Sequence, residues 1–348
     1  MHQEAGPTTL APIIDLHCHA AGVGAGGSGC LVSDRLQRNW RYRVFLRAFG
    51  VTEELLAAAG DGAILRRLSE QLAESNEVSA AVVLALDGAV DEHGELDRGR
   101  TELYVPNEFV ARETLRYPNL LFGASVNPYR RDARERLEAA AEGGAVLLKW
   151  LPPIQGIDPA DPRLAPFYRR LEELRLPLLV HTGSEHSFTR GRNELGDPQR
   201  LRLPLELGVT VIAAHGAGSG RTAGQSNLAR LLPLFAEFPN LYADISSLTQ
   251  VNKRRALPRL LGHPTARARL VYGTDMPVLA TALVSPLFFL HRLNRGAIRE
   301  IQSIANPWER DLALKRALGV PEEVFRRGRG LLRLPGRPRP AAHLDPAR

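Results

Sequence analysis

Ile13-Ile14-Asp15-Leu16-His17-Cys18-His19 is the stretch from which the fold is read. It opens apolar and β-branched and ends on a histidine pair, the pattern of a short buried strand running into the rim of a site. Side chains two apart in a strand share a face, so His17 and His19 point one way and Cys18 the other. Two imidazoles on one face can close on a single metal ion, and nitrogen ligands suit zinc. In a chain with 10 histidines such a pair also arises by chance. Its meaning depends on where the other polar residues fall.

Seven more short apolar runs follow, at 79–86, 121–126, 145–148, 177–180, 209–214, 241–244 and 270–272. Helical patterns separate most of them, at about 106–117, 132–142, 164–175 and 227–237. Eight strands alternating with helices predict a parallel sheet closed into a (β/α)8 TIM-type barrel. An open, doubly wound sheet would carry a nucleotide fingerprint after its first strand. Here that position holds a glycine-rich loop, 20–29, which leads into no strand-to-helix turn and reads as a flexible loop beside the histidine pair. Residues 33–74 read as helical, an arginine-rich first part and a second segment at 53–74. The whole 20–74 stretch is an insertion, a lid or an interface between two copies of the chain. A helical region from 285 to about 332 completes one barrel domain, 12–332, between a flexible lead (1–11) and a disordered Pro/Arg-rich tail (333–348).

Composition bounds the function. The 348 residues are 44% apolar and 24% charged, as in a soluble globular protein. No apolar run is long enough to span a bilayer, and the N-terminus lacks a secretory pattern. Cys18 and Cys30 are the only cysteines, too few for a disulfide framework, so a reducing, cytoplasmic setting is expected. Cys18 reads as a buried apolar filler. The net charge of +7 is concentrated in 326–348, where seven arginines meet one aspartate. A nucleic-acid binder needs its basic face on the folded body, so the expected partner is a small molecule, with neither nucleic acid nor membrane. Of the 45 basic residues only Lys149, Lys253 and Lys315 are lysines.

Barrels of this kind carry their chemistry at the carboxyl ends of the strands. Those ends hold His17 and His19, Lys149, His181, His215 and Asp275, each closing an apolar run. Neutral imidazoles with a carboxylate suit a divalent ion, zinc first, with iron, manganese or cobalt fitting the same set. Such an ion activates water and polarises a carbonyl. A carboxylate beside that water can carry its proton, and a further histidine can share the transfer or hold an oxyanion.

The segments IDLHCH (14–19), VNP (126–128), LLKWLPPIQGIDP (147–159), LPLLVHTG (176–183), VIAAHGAG (211–218) and VYGTDMP (271–277) together resemble the amidohydrolase superfamily. Within it they are similar to the branch of decarboxylases and hydratases related to aminocarboxymuconate semialdehyde decarboxylase. The resemblance implies that His17, His19, His181 and Asp275 hold one metal, that His215 lies beside the bound water, and that Asp275 also carries a proton. Lys149 then contacts substrate, although binuclear relatives carbamylate a lysine there, and Trp150, Gln155 and Asn127 line the pocket. After the fifth strand, His186, Arg190 and Arg192 either meet an anionic substrate or form a solvated loop. Asp244 reads as the cap of a following helix, ahead of the alternative of a catalytic carboxylate. These expectations amount to a metal-dependent hydrolase of a small, carboxylate-bearing molecule. The alternatives are a non-oxidative decarboxylase or hydratase on the same site, and a non-catalytic barrel acting as a binding protein.

Overall fold

The apolar runs become strands of one sheet in a computed structural model that describes residues 11–334. They are β1 (Ile13–His19), β2 (Val78–Leu84), β3 (Leu120–Ala124), β4 (Leu147–Trp150), β5 (Leu178–His181), β6 (Val211–Ala214), β7 (Leu241–Asp244) and β8 (Leu270–Val271). All neighbours pair in parallel and in chain order. A parallel bridge between Cys18 and Met276 joins the last strand's extension to the first, and the His19 amide donates to the Met276 carbonyl at 2.8 Å. The eight strands thus close into a (β/α)8 barrel.

Alternation sorts each strand into two layers. Ile14, Leu16, Val82, Leu84, Leu147, Leu179, Ile212 and Val271 form an inner cluster, while Ile13, Cys18, Val83, Phe122, Leu148 and Val180 pack outward under the helices. β1 carries one extra residue, since Asp15 pairs with Ala81 but Cys18 with Val83. This bulge lets Leu16 fill the barrel while the very next side chain, His17, reaches the mouth. The amino end of the barrel is sealed from below. Leu331, Leu332 and Leu334 pack on the inner cluster, and the Arg333 amide donates to the Val146 carbonyl at 3.0 Å. Arg333 and Leu334 therefore belong to the barrel rather than to the tail. The remainder of that tail, and positions 1–10 of the lead, lie outside the described residues.

The β1–β8 seam is fastened by buried polar groups. Asp15 accepts the His17 and Thr274 amides at 3.0 Å each, the Thr274 hydroxyl at 2.6 Å and the Trp308 indole N–H at 2.9 Å. Burial still pushes its carboxyl up to about 6. From the same helix, Pro307–Ala317, Lys315 donates to the Gly273 carbonyl at 2.9 Å and to Asp311 at 2.6 Å.

Two expectations change. The glycine-rich loop is pinned, because buried Asp61 accepts the Val23 and Gly24 amides and the Ser28 hydroxyl. The helix expected at 53–74 breaks into Glu53–Ala59 and Gly62–Ala73 around Gly60, which takes a left-handed φ of 76°. Among the described residues no helix is long and apolar enough to cross a membrane.

Candidate active site

His17 sits at the centre of the mouth. Its Nδ1 donates to Asp244 Oδ2 at 2.7 Å. Burial lowers the His17 pKa to about 4, with the Lys149 charge adding to the effect, so the ring is neutral. Asp244 stays ionised: burial opposes its charge, but the neighbouring His17 outweighs it and holds the carboxyl well below the carboxylate range. With its one proton on Nδ1, His17 presents Nε2 as a bare lone pair. Around that lone pair stand Lys149 Nζ at 3.0 Å, His19 Nε2 at 3.2 Å and Asp275 Oδ1 at 3.5 Å. His19 Nε2 is itself 3.1 Å from Asp275 Oδ1.

His181 ends β5 fully inside the protein, and neither of its ring nitrogens has a hydrogen bond. Its Nδ1 is 3.5 Å from Glu185 Oε2, and burial lowers its pKa to about 4. The His215 ring lies 5.0 Å from those of His17 and His181. Ser246 spends its only proton on Asp244 Oδ1 at 2.5 Å, so it accepts from His215 Nδ1 at 2.8 Å. That fixes the His215 proton on Nδ1 and leaves Nε2 as an acceptor. Asp244 is thus the hub that orients two imidazoles, and it also takes the His215 amide at 2.7 Å. It caps nothing, since the next α-helix is Ala256–Leu261.

Asp275 divides its two oxygens. Oδ2 accepts the Ser247 hydroxyl, whose oxygen in turn accepts Gln250 Nε2 at 2.8 Å, and Oδ1 is left toward the histidines. Burial opposes its charge, but His215 and His19 hold the carboxyl well below its usual range. His215, Ser247 and Asp275 adopt φ of 57°, 58° and 66°, a left-handed backbone costing about 1–3 kcal/mol for such residues. Their hydrogen bonds keep them there.

Two groups could hold a metal, His17–His215–Asp244 and His17–His19–Asp275. In the first, His17 Nδ1 is committed to Asp244 and His215 Nδ1 to Ser246. In the second, His17 Nε2, His19 Nε2 and Asp275 Oδ1 converge, and the orphaned imidazole of His181 stands nearby. That donor set fits a divalent cation.

The other expected contacts are placed differently. Asn127 donates to the Gly88 and Gln155 carbonyls at 2.9 Å each. Gln155 donates to the Asp87 carbonyl at 3.0 Å and accepts the Leu151 amide at 2.5 Å. Trp150 donates to the Val126 carbonyl at 2.8 Å and stacks on Phe167 in the outer layer. These polar atoms knit the loops at the mouth together. Lys149 alone of the set touches the central cluster, its pKa lowered to about 8 by burial. Arg190 lines a cleft of about 530 Å³ beside the mouth, with Arg100 and Arg192 over Leu103 and Ile154. Asp244, read as a helix cap ahead of a catalytic group, and Ser246, Ser247 and Asp15, not read as site residues, are the additions. The one signal for the first three was the polar run Asp244-Ile245-Ser246-Ser247 ending an apolar strand.

A family model described as Amidohydrolase matches residues 14–288. Among solved structures, an uncharacterised TIM-barrel protein from Bordetella bronchiseptica is 17% identical with a TM-score of 0.54, covering 87% of this chain and 99% of that one. IDCase from Metarhizium anisopliae is 13% identical with a TM-score of 0.49, covering 90% and 94%. The 5-carboxyvanillate decarboxylase of Novosphingobium aromaticivorans, complexed with manganese and 4-hydroxy-3-methoxy-5-nitrobenzoic acid, is 13% identical with a TM-score of 0.46, covering 89% and 96%. No curated protein matches the chain. The family match begins inside β1 and runs past Asp275, so it takes in every strand-end residue of the mouth: the chain belongs to the amidohydrolase family.

Proposed function

We propose that the chain is a metal-dependent hydrolase of a small, carboxylate-bearing molecule, with one divalent ion, zinc foremost, held by His17, His19, His181 and Asp275. The observation that carries this reading is the convergence of His17 Nε2, His19 Nε2 and Asp275 Oδ1 within 3.1–3.5 Å of one another. When bound, such an ion polarises a carbonyl and brings the pKa of water towards neutrality. Asp275 takes the proton of the attacking water and hands it to the leaving group, with Ser247 holding the carboxylate in place through Oδ2. His215, its Nδ1 committed to Ser246, offers Nε2 as a second proton acceptor. Lys149 holds the substrate carboxylate once it gives up the His17 lone pair, and Arg190 guides anions at the rim. Asn127 and Trp150 shape the mouth, and Gln155 lines the cleft beside it together with Arg190.

Elemental analysis of protein purified without chelator should find about one equivalent of divalent metal per chain, and a folded, metal-free protein would refute the site. The reaction is read from products in a screen of esters, lactones, amides and carboxylic acids. Hydrolysis products support this reading, and carbon dioxide release from an acid overturns it in favour of a decarboxylase.

A further inference from the structure

His181 ends β5 with both ring nitrogens buried and without a hydrogen bond. A ligand role needs one of those nitrogens bare and the other protonated. Facing the ring is Glu185, four residues on, with Oε2 at 3.5 Å from His181 Nδ1. The Glu185 side chain is only 10% exposed, and no lysine or arginine pairs with it among the described residues. Burying a carboxylate without a partner is costly, and nothing in the chemistry above uses this one.

The chain after β5 is built to bring that carboxylate back to the strand end. Gly183 takes a left-handed φ of 96°, and a Cβ there would meet the Ser219 carbonyl oxygen at 2.7 Å, which keeps the position to glycine. The Gly183 amide donates to the Gly196 carbonyl at 2.8 Å, and the Glu185 amide to Asn193 Oδ1 at 2.7 Å. Glu185 Oε1 accepts the Ser187 amide at 2.5 Å. One carboxylate oxygen is thus spent on the loop, and the other is left facing the imidazole.

That arrangement selects a tautomer. A neutral imidazole carries one proton. On Nε2 it would set the Nδ1 lone pair against Oε2, two acceptors 3.5 Å apart, and would block the nitrogen that is free to bind a ligand. On Nδ1 it faces Oε2, and a charge-assisted hydrogen bond forms as the pair closes to about 2.8 Å. Nε2 is then bare. Histidines that bind metals commonly give their second nitrogen to a carboxylate, which fixes the tautomer and raises the donor's basicity. We propose that Glu185 is a positioning residue of the metal site, holding the Nδ1 proton of His181 and thereby setting the affinity for the ion. This deepens the metal-dependent reading and rests on it.

The test is the zinc affinity of the full chain, measured by competition with a chromophoric chelator, for wild type, Glu185→Gln and Glu185→Ala. Glu185→Ala should bind zinc about 10–100-fold more weakly than wild type. Glu185→Gln, which keeps an accepting oxygen but loses the charge, should fall between the two. With cobalt in place of zinc, all three should share the wild-type visible bands, because the ligands themselves are unchanged. A merely structural Glu185 would lower the melting temperature of the metal-free variants and leave the zinc affinity of the folded protein at its wild-type value. Equal affinity in all three proteins, or a cobalt spectrum altered in Glu185→Gln by loss of a direct ligand, overturns the proposal. Wild type that binds no zinc defeats the metal site itself, whereas zinc-binding wild type with equally tight variants defeats only this proposal.

Discussion

The two ends of the barrel are built from the same strands to opposite ends. At the amino end, Leu331, Leu332 and Leu334 close over Ile14, Leu16, Val82 and Val271. At the carboxyl end, His17, Lys149, His181, Asp244 and Asp275 are as deeply buried but polar, with an orphaned imidazole and residues in left-handed backbone. Burying apolar surface stabilises by roughly 25 cal/mol per Å², whereas burying unpaired polar groups costs. The sealed end carries the stability that the reactive end forgoes.

Several substitutions set these ends against each other. Asp275→Asn should lower kcat/KM by at least about a thousandfold, or about 4 kcal/mol in the barrier, with the circular-dichroism spectrum of an intact barrel. Undiminished turnover would remove Asp275 as proton carrier. Leu332→Ala should do the reverse, costing about 2–4 kcal/mol in urea unfolding while kcat per folded molecule holds. Chelating the metal should lower the melting temperature and re-adding zinc restore it, by about 3 kcal/mol at a hundredfold excess over Kd. A chelator-insensitive melt would argue against a bound ion.

A smaller effect comes from pH. Burial lowers His17 and His181 to about 4 and His215 further. The folded metal-free protein therefore binds fewer protons than the unfolded chain between about 4 and the ordinary histidine value near 6.5. Stability from these rings is complete above that window and is lost as pH falls through it. Asp15, raised to about 6, acts with the opposite sign and is outnumbered. The urea midpoint of chelated protein should therefore drop from pH 7 to 4.5. Least of all, a chain ending after Pro335 should melt as the full chain does.

The contrast also explains what was legible. Eight buried strands could be read because apolar runs bounded by glycine and proline are a local signal, and the strand-end histidines and Asp275 stood out against them. Asp244, Ser246 and Ser247 act only through partners on β1, β6 and the segment after β8, so a helix-cap reading of Asp244 was the best local one. Gln155 and Asn127 carry the polar groups expected of pocket residues, but tertiary contacts consume them. Arg333 and Leu334 were assigned to the tail because proline and arginine surround them, whereas their packing depends on Val146 and the inner cluster.

The seal under the barrel has a consequence for how the protein is made. Its leucines, and the Trp308 and Lys315 that fasten the first strand to the last, all follow the eighth strand in the chain. A nascent chain carrying all eight strands still shows Leu16 and its neighbours uncovered from below until those later segments emerge. Closure of the barrel is thereby tied to synthesis of the closing helices, and a chain terminated before them would present an open apolar end to the cell's quality control.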